Sequence, residues 1–383
     1  MGHYDRLHGI LDSITSRGLK RTVRAIEPLG PTRGRLEDGR VVDVFCSNDY
    51  LGLAQHPKVL AAWTGGGTGS ARLIAGDRPA HHALEEALTA WTGRPTTVLS
   101  TGWHANLAVL GAVLQRGDAT SSDRLVHASL IDGLRLSRAD RTVLDHGSTD
   151  IPDGTRLHVT EGLFSMDGDR VDLRLTRAAC DRVGAWMLVD EAHAVGCLGP
   201  RGRGAAADAG VEADFVVGTL GKAFGAFGAF VSGPPVLREL LLSRGRAFIF
   251  TTGLPEPACR AALQALALAT DDRQRALARQ TDRLRRGLRR LGLRPGGEAH
   301  IVPVVLGAGT MAIARALLDR GVYVAGIRPP TVAPGTERLR ISVSAAHTNE
   351  QIDRLVDIVG DVLSSSRRQP DRSPHGLLEQ ERL

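Results

Sequence analysis

From residue 97 onward the chain repeats one pattern, a short apolar run followed by a stretch of helical period, and that repetition limits the available folds. Runs at 97–100, 124–126, 157–160, 186–189, 215–217 and 229–231 read as strands, with helices at 105–114 and 235–243 and a long helical pattern from Glu256. Strands alternating with helices predict an α/β domain whose mostly parallel sheet is crossed by helices. Ligand chemistry in such sheets gathers at the carboxyl ends of the strands. His127, Glu161 and Asp190 each fall at the expected end of a run, and His193 follows Asp190 across a short turn.

The next expected strand, 215–217, feeds a segment very rich in glycine, Gly218 to Gly228, with Lys222 in its middle. Glycine lets a backbone approach a ligand closely. Only three lysines, Lys20, Lys58 and Lys222, stand among the 48 basic residues. Arginine does not deprotonate in proteins, whereas a lysine amine does, and can then add to a carbonyl as a Schiff base. Taken singly, Lys222 reads equally as a chance lysine in a loop, and Asp190 as a cap or loop carboxylate. The GxxxxGK[ST] spacing of a phosphate loop fails, since Ala223 follows the lysine. A carboxylate at a strand end, a histidine just beyond and a glycine-flanked lysine together match a pyridoxal phosphate site. There lysine forms the Schiff base and aspartate pairs with the pyridinium nitrogen.

The flanks divide the chain. Residues 1–34 carry an amphipathic helix over 4–19, with Leu7, Ile10, Leu11 and Ile14 on one face. Residues 35–270 are expected to form the large domain, with a strand at 41–45, a polar turn at 47–52, a flexible glycine loop at 64–72 and a helix at 80–91. Residues 271–363 are expected to form a small α+β domain with strands 302–306, 322–325 and 339–343 and helices 312–319 and 349–363. The Ser/Arg/Pro composition from Ser364 onward predicts a disordered tail, 364–383.

Composition narrows the function. A net charge of +6 invites nucleic-acid binding, but the arginines cluster only along 273–290. There Leu277, Leu284, Leu288 and Leu291 share a helical face, so the arginines read as its solvated side. Aromatic interleaving is missing, and the charge equally suits anionic substrates. Cys46, Cys180, Cys197 and Cys259 show no CxxC pairing, which excludes a zinc ribbon and fits a reducing, cytoplasmic setting. No apolar run reaches a membrane span, no signal-peptide core is seen, and no metal site is expected.

Six collinear motifs carry a resemblance: SNDYLGL (47–53), DRLVHASL (123–130), VTEGLFSMDGD (159–169), VDEAH (189–193), TLGKAFG (219–225) and IRPPTV (327–332), the last followed by RLRI (338–341). In this order they resemble the α-oxoamine synthases, pyridoxal phosphate enzymes of the aspartate-aminotransferase fold (fold type I), over residues 4–363. The nearest branch is the one that makes a precursor of biotin. The resemblance implies that Lys222 holds the cofactor and moves the substrate proton, while Asp190 keeps the pyridine nitrogen protonated. It places His127 on the ring face and His193 at the ring hydroxyl. Gly102, Trp103, Glu161, Ser165 and Thr219 would surround the cofactor or its phosphate, with Thr251 and Thr252 reaching it across a homodimer interface. Arg340 would take the amino-acid carboxylate, with Asn48, Thr331 and Arg21 near the substrates. The implied reaction is a decarboxylative Claisen condensation of an amino acid with an acyl-CoA or acyl-carrier protein. L-Alanine is the first candidate and glycine or serine siblings are the alternative; a cofactor-binding regulator without turnover would need a DNA-binding module that the sequence lacks. Two connections, 63–70 and 144–157, read as shorter than is usual in the family.

Overall fold

The computed structural model of the protein describes residues 3–368. At its centre stands a seven-stranded sheet in the spatial order Thr96–Leu99, Ala229–Ser232, Phe215–Thr219, Trp186–Asp190, Leu157–Glu161, Ala119–Asp123, Asp140–Leu144. The strands from Phe215–Thr219 to Asp140–Leu144 are parallel, and Ala229–Ser232 runs antiparallel to both its neighbours. Sequence neighbours on one strand separate into different cores. Met187 and Val189 enter one cluster and Leu188 the other. That is how a strand buried between two helix layers must behave, and it explains the unbroken apolar runs.

The antiparallel strand has a consequence for Lys222. The glycine-rich segment is the tight link between Phe215–Thr219 and its antiparallel neighbour, closed by Leu220 N–H to Gly228 O at 2.9 Å and Ala226 N–H to Leu220 O at 2.9 Å. Gly225 sits at φ +59°, and a Cβ there would lie 2.2 Å from the Ala54 nitrogen. The lysine link is thereby seated on the segment that follows the SNDYLGL turn.

Several expected elements shift. The run 124–126 is not a strand: the polar segment Ala119–Asp123 is, and 124–126 form the turn after it. Leu125 in that turn is 44% exposed. Neither the edge strand Asp140–Leu144, which is only partly buried, nor helix Leu173–Val183, whose buried face is Leu173, Thr176, Ala179 and Cys180, carries a long apolar run in the sequence. The expected strand 322–325 is split in two. Val322–Tyr323 pairs in parallel with Val41–Val44, and Ala325–Ile327 joins Ile301–Val305 and Arg338–Ser342 in an antiparallel sheet. Strands Ile26–Pro28 and Arg33–Leu36 complete the sheet of Val41–Val44, tying the N-terminal segment to the C-terminal one.

Helix Asp271–Arg290 buries Leu277, Leu284 and Leu288 as its period requires, but not all its arginines face water. Arg285 is buried and donates to the carbonyls of Gly296 and Ala299 at 2.7 and 2.9 Å, and Arg273 donates to Leu51 O at 2.9 Å. The last helix, Asn349–Arg368, runs past the expected break at Ser364; the rest of the predicted tail, 369–383, lies outside the described residues. Helix Asp5–Ser16 forms as expected and buries none of its residues within the chain.

Candidate active site

Parallel register aligns the carboxyl ends of neighbouring strands, and here it sets Glu161 directly opposite Asp190. Both carboxylates are buried. Asp190 Oδ2 accepts from Asn106 Nδ2 at 2.7 Å, and Oδ1 from Ala192 N–H at 2.9 Å. Asn106 also donates to Ser129 Oγ at 2.9 Å, and Ser129 Oγ lies 2.8 Å from His127 Nδ1. A polar thread thus joins Asp190 to His127. Glu161 is committed elsewhere: its Oε1 accepts the His127 backbone N–H at 2.5 Å. Burial, and then the neighbouring Asp190 charge, holds the Glu161 carboxyl well above the usual carboxylate range. The shift favours the protonated acid, which eases the repulsion between the two neighbouring carboxylates.

Lys222 meets the cluster from the opposite side. Its Nζ lies 2.9 Å from His193 Nε2, while His193 Nδ1 lies 2.7 Å from the Tyr50 hydroxyl. Tyr50 in turn donates to Asn48 Oδ1 at 2.9 Å, and Arg340 approaches the same hydroxyl at 3.5 Å. With Lys222 donating, the chain Lys222, His193, Tyr50, Asn48 runs in a single direction. Burial lowers the Lys222 amine below its usual range, against the opposing pull of Asp190 and Glu161. Burial first, and then the cations Lys222 and Arg340, push His193 well below its ordinary value, so the imidazole is neutral. A lysine amine whose pKa is lowered gives up its proton more readily, as a nucleophile or a base must.

Arg340 is buried on strand Arg338–Ser342, held by the Ser165 carbonyl and by Ser342 Oγ at 2.8 Å. Ser165 therefore enters the site through its backbone. Gly102 opens helix Gly102–Val113, whose cap Thr101 accepts from His104 N–H at 3.2 Å. Gly102 faces Thr219, whose hydroxyl donates to Gly228 O at 3.2 Å. The helix ladder leaves over the N–H groups of its first turn, which suits a phosphate. Trp103 is 42% exposed, with its ring 6.0 Å from that of His127.

Other expected residues stand apart from this cluster. Arg21 and Thr331 meet each other at 3.5 Å in a groove of about 530 Å³ that shares no lining residue with the Lys222 cluster. Thr252 bridges to Ala71, and Gly253, which follows it, backs onto Ser100. Sequence reasoning missed Tyr50, Asn106 and His300. Asn106 is a polar residue in an otherwise apolar helical stretch, which is a signal in the sequence, whereas Tyr50 stands in a polar turn that does not mark it out. His300 is buried against the Tyr50 ring at 4.0 Å, and burial together with Arg340 pushes it down to about 3.

These residues fit pyridoxal phosphate: a buried carboxylate for the ring nitrogen, a buried amine of lowered pKa for the aldehyde, exposed rings at Trp103 and His127, and a helix N-terminus. The comparisons agree. Residues 42–359 match the family described as Aminotransferase class I and II. The 8-amino-7-oxononanoate synthase of Anaeromyxobacter dehalogenans (strain 2CP-1) is 46% identical, over 98% of either chain. Among solved structures, the serine palmitoyltransferase of Sphingomonas wittichii superposes with a TM-score of 0.89 at 31% identity, covering 96% of this chain and 98% of that one. That of S. paucimobilis, solved as its K265A variant with a bound PLP–myriocin aldimine, gives 0.88 at 30%, covering 95% and 99%. The fold is thus the expected fold type I, with a mostly parallel large sheet and a C-terminal domain. The chain belongs to the aminotransferase class I and II family, in its α-oxoamine synthase branch of pyridoxal phosphate-dependent acyltransferases.

Proposed function

We propose that the protein condenses L-alanine with pimeloyl-CoA or a pimeloyl-carrier protein, releasing carbon dioxide and the free thiol of CoA or of the carrier protein and forming 8-amino-7-oxononanoate for biotin synthesis. The observation that carries this reading is the Lys222–His193–Tyr50–Asn48 chain ending beside Arg340, in a protein 46% identical to a synthase of that name. When bound, pyridoxal phosphate supplies an electron sink for negative charge at the amino-acid Cα. Asp190 holds the proton on its ring nitrogen, with Asn106 and the Ala192 N–H fixing the carboxylate. Arg340 takes the substrate carboxylate, which orients the Cα–H bond toward Lys222. Lys222 removes that proton and later returns one, and neutral His193 keeps the amine aimed. His127, posed by Glu161 and Ser129, would help hold the cofactor ring.

The second reading is a sibling that takes serine or glycine or another acyl thioester, favoured by the fit to two serine palmitoyltransferases. A screen of alanine, glycine and serine against acyl thioesters, scored by carbon dioxide release, separates the two. Release only with alanine and a pimeloyl thioester supports the first reading; preference for serine or glycine overturns it.

We also propose a homodimer. Leu7, Ile10 and Leu11 on the first helix are 60%, 51% and 44% exposed, a face that a second copy would cover. A fully active monomer in sedimentation would exclude it. Among the described residues no helix is long and apolar enough to cross a membrane, which is compatible with the proposed cytoplasmic setting.

A further inference from the structure

The short connection after strand Asp140–Leu144 carries one side chain that none of these roles uses. His146 Nδ1 lies 2.8 Å from Asp123 Oδ2 and its Nε2 3.1 Å from Asp169 Oδ2, with the ring edge-on to Phe164 at 4.5 Å. Hydrogen bonds to the two carboxylates raise its pKa to about 10, so the ring is a cation at neutral pH. Asp123 ends its strand just before the turn that presents His127, and also accepts the N–H groups of Leu125 and Gly147 at 2.7 and 2.9 Å.

Asp169 closes loop 162–169. Its carbonyl accepts Phe164 N–H at 3.0 Å, and Gly168 N–H donates to Phe164 O at 2.8 Å. The far side of this loop carries Arg340. The Ser165 carbonyl receives the Arg340 guanidinium, Asp167 pairs with Arg338, and Gly168 O accepts Glu298 N–H at 2.7 Å. Gly168, at φ +62°, leaves only 2.3 Å between a would-be Cβ and Ile301 O. The loop is therefore wedged between the ends of the parallel strands and the sheet that bears Arg340.

We propose that His146 is a positioning residue: by bridging Asp123 and Asp169 it locks loop 162–169, and through Ser165 it sets where Arg340 meets a substrate carboxylate. This rests on the reading of Arg340 given above. Losing a bond between charged groups corresponds to roughly a tenfold to hundredfold change in an equilibrium.

The test compares the parent holoenzyme with His146→Gln and Asp169→Asn. Two readouts are used: amide hydrogen exchange of peptides covering 162–169 and 186–190, and steady-state kinetics with alanine. The expected result is exchange at 162–169 faster by roughly tenfold, 186–190 unchanged, KM for alanine raised roughly tenfold, and kcat and cofactor affinity near the parent's. Parent-level exchange at 162–169, a parent KM, or a loss confined to kcat with exchange raised throughout would overturn the proposal. If the parent holds the cofactor but takes up no amino acid, the reading of Arg340 is what fails; exchange at 162–169 then decides the lock alone.

Discussion

Tyr50→Phe removes a single oxygen from a fully buried ring, and the structure shows what that oxygen does. The hydroxyl is 2.7 Å from His193 Nδ1 and 2.9 Å from Asn48 Oδ1, with Arg340 at 3.5 Å. The ring contact with His300 at 4.0 Å survives the substitution, so little packing is lost. What remains is a buried imidazole N–H without its acceptor and an amide oxygen without its donor, each costing about 1–3 kcal/mol of stability where water does not reach it. The effect on chemistry should be larger. Without a partner at Nδ1, the ring is free to move its proton to Nε2 and confront Lys222 with a donor. Proton transfer at the substrate Cα should then slow by roughly a hundredfold, within the range that general acid–base groups contribute. The assay is exchange of the alanine Cα hydrogen in deuterium oxide, with cofactor binding followed by absorbance. Cofactor affinity should hold, because Asp190 and the Gly102 helix are untouched. Exchange at the parent rate, in a variant that melts as the parent does, would refute the reasoning.

Three further outcomes are expected. Lys222→Arg should abolish turnover, and borohydride reduction of the parent should leave a pyridoxyl group on Lys222 and on neither Lys20 nor Lys58, by peptide mass spectrometry. Asp190→Asn should retain the cofactor yet lose Cα hydrogen exchange by about a hundredfold, equivalent to ~3 kcal/mol in the transition state; exchange at the parent rate would exclude the electron-sink role. The His146 pKa, raised to about 10, carries a definite sign. A histidine raised on folding contributes its full stability below its unfolded pKa and loses it as pH climbs through the folded value. The urea midpoints of the parent and His146→Gln should therefore differ most near pH 6 and converge above about pH 10; a gap independent of pH would remove the charged bridge.

Local patterning carried much of this molecule. The runs at 157–160, 186–189, 215–217 and 229–231 became strands because apolar segments of that length have no other way to be buried on two faces. Asp190 at the end of its run, and Lys222 among glycines, were visible for the same reason: chemistry at a strand end interrupts hydrophobicity abruptly. The reading failed where burial is supplied by tertiary neighbours. Ala119–Asp123 is polar in sequence, yet Ser121 and Ser122 are wholly buried, with Ser121 bonded to His158 at 2.9 Å. The split of 322–325 between two sheets likewise depends on which partner each half finds.

Periodicity and turn chemistry are properties of neighbours along the chain, and they mark several of the strand ends and the chemical types standing on them. Which of those groups touch follows from packing in three dimensions. Tyr50 lies 143 positions from His193 and 290 from Arg340, and no spacing rule reaches across such separations. Nor could the chain alone show that Glu161 serves His127, that Ser165 acts through its carbonyl, or that His146 stands between two carboxylates. Those pairings, and the burial that lowers the Lys222 pKa, exist only once the sheet has aligned its strand ends and the C-terminal segment packs against them.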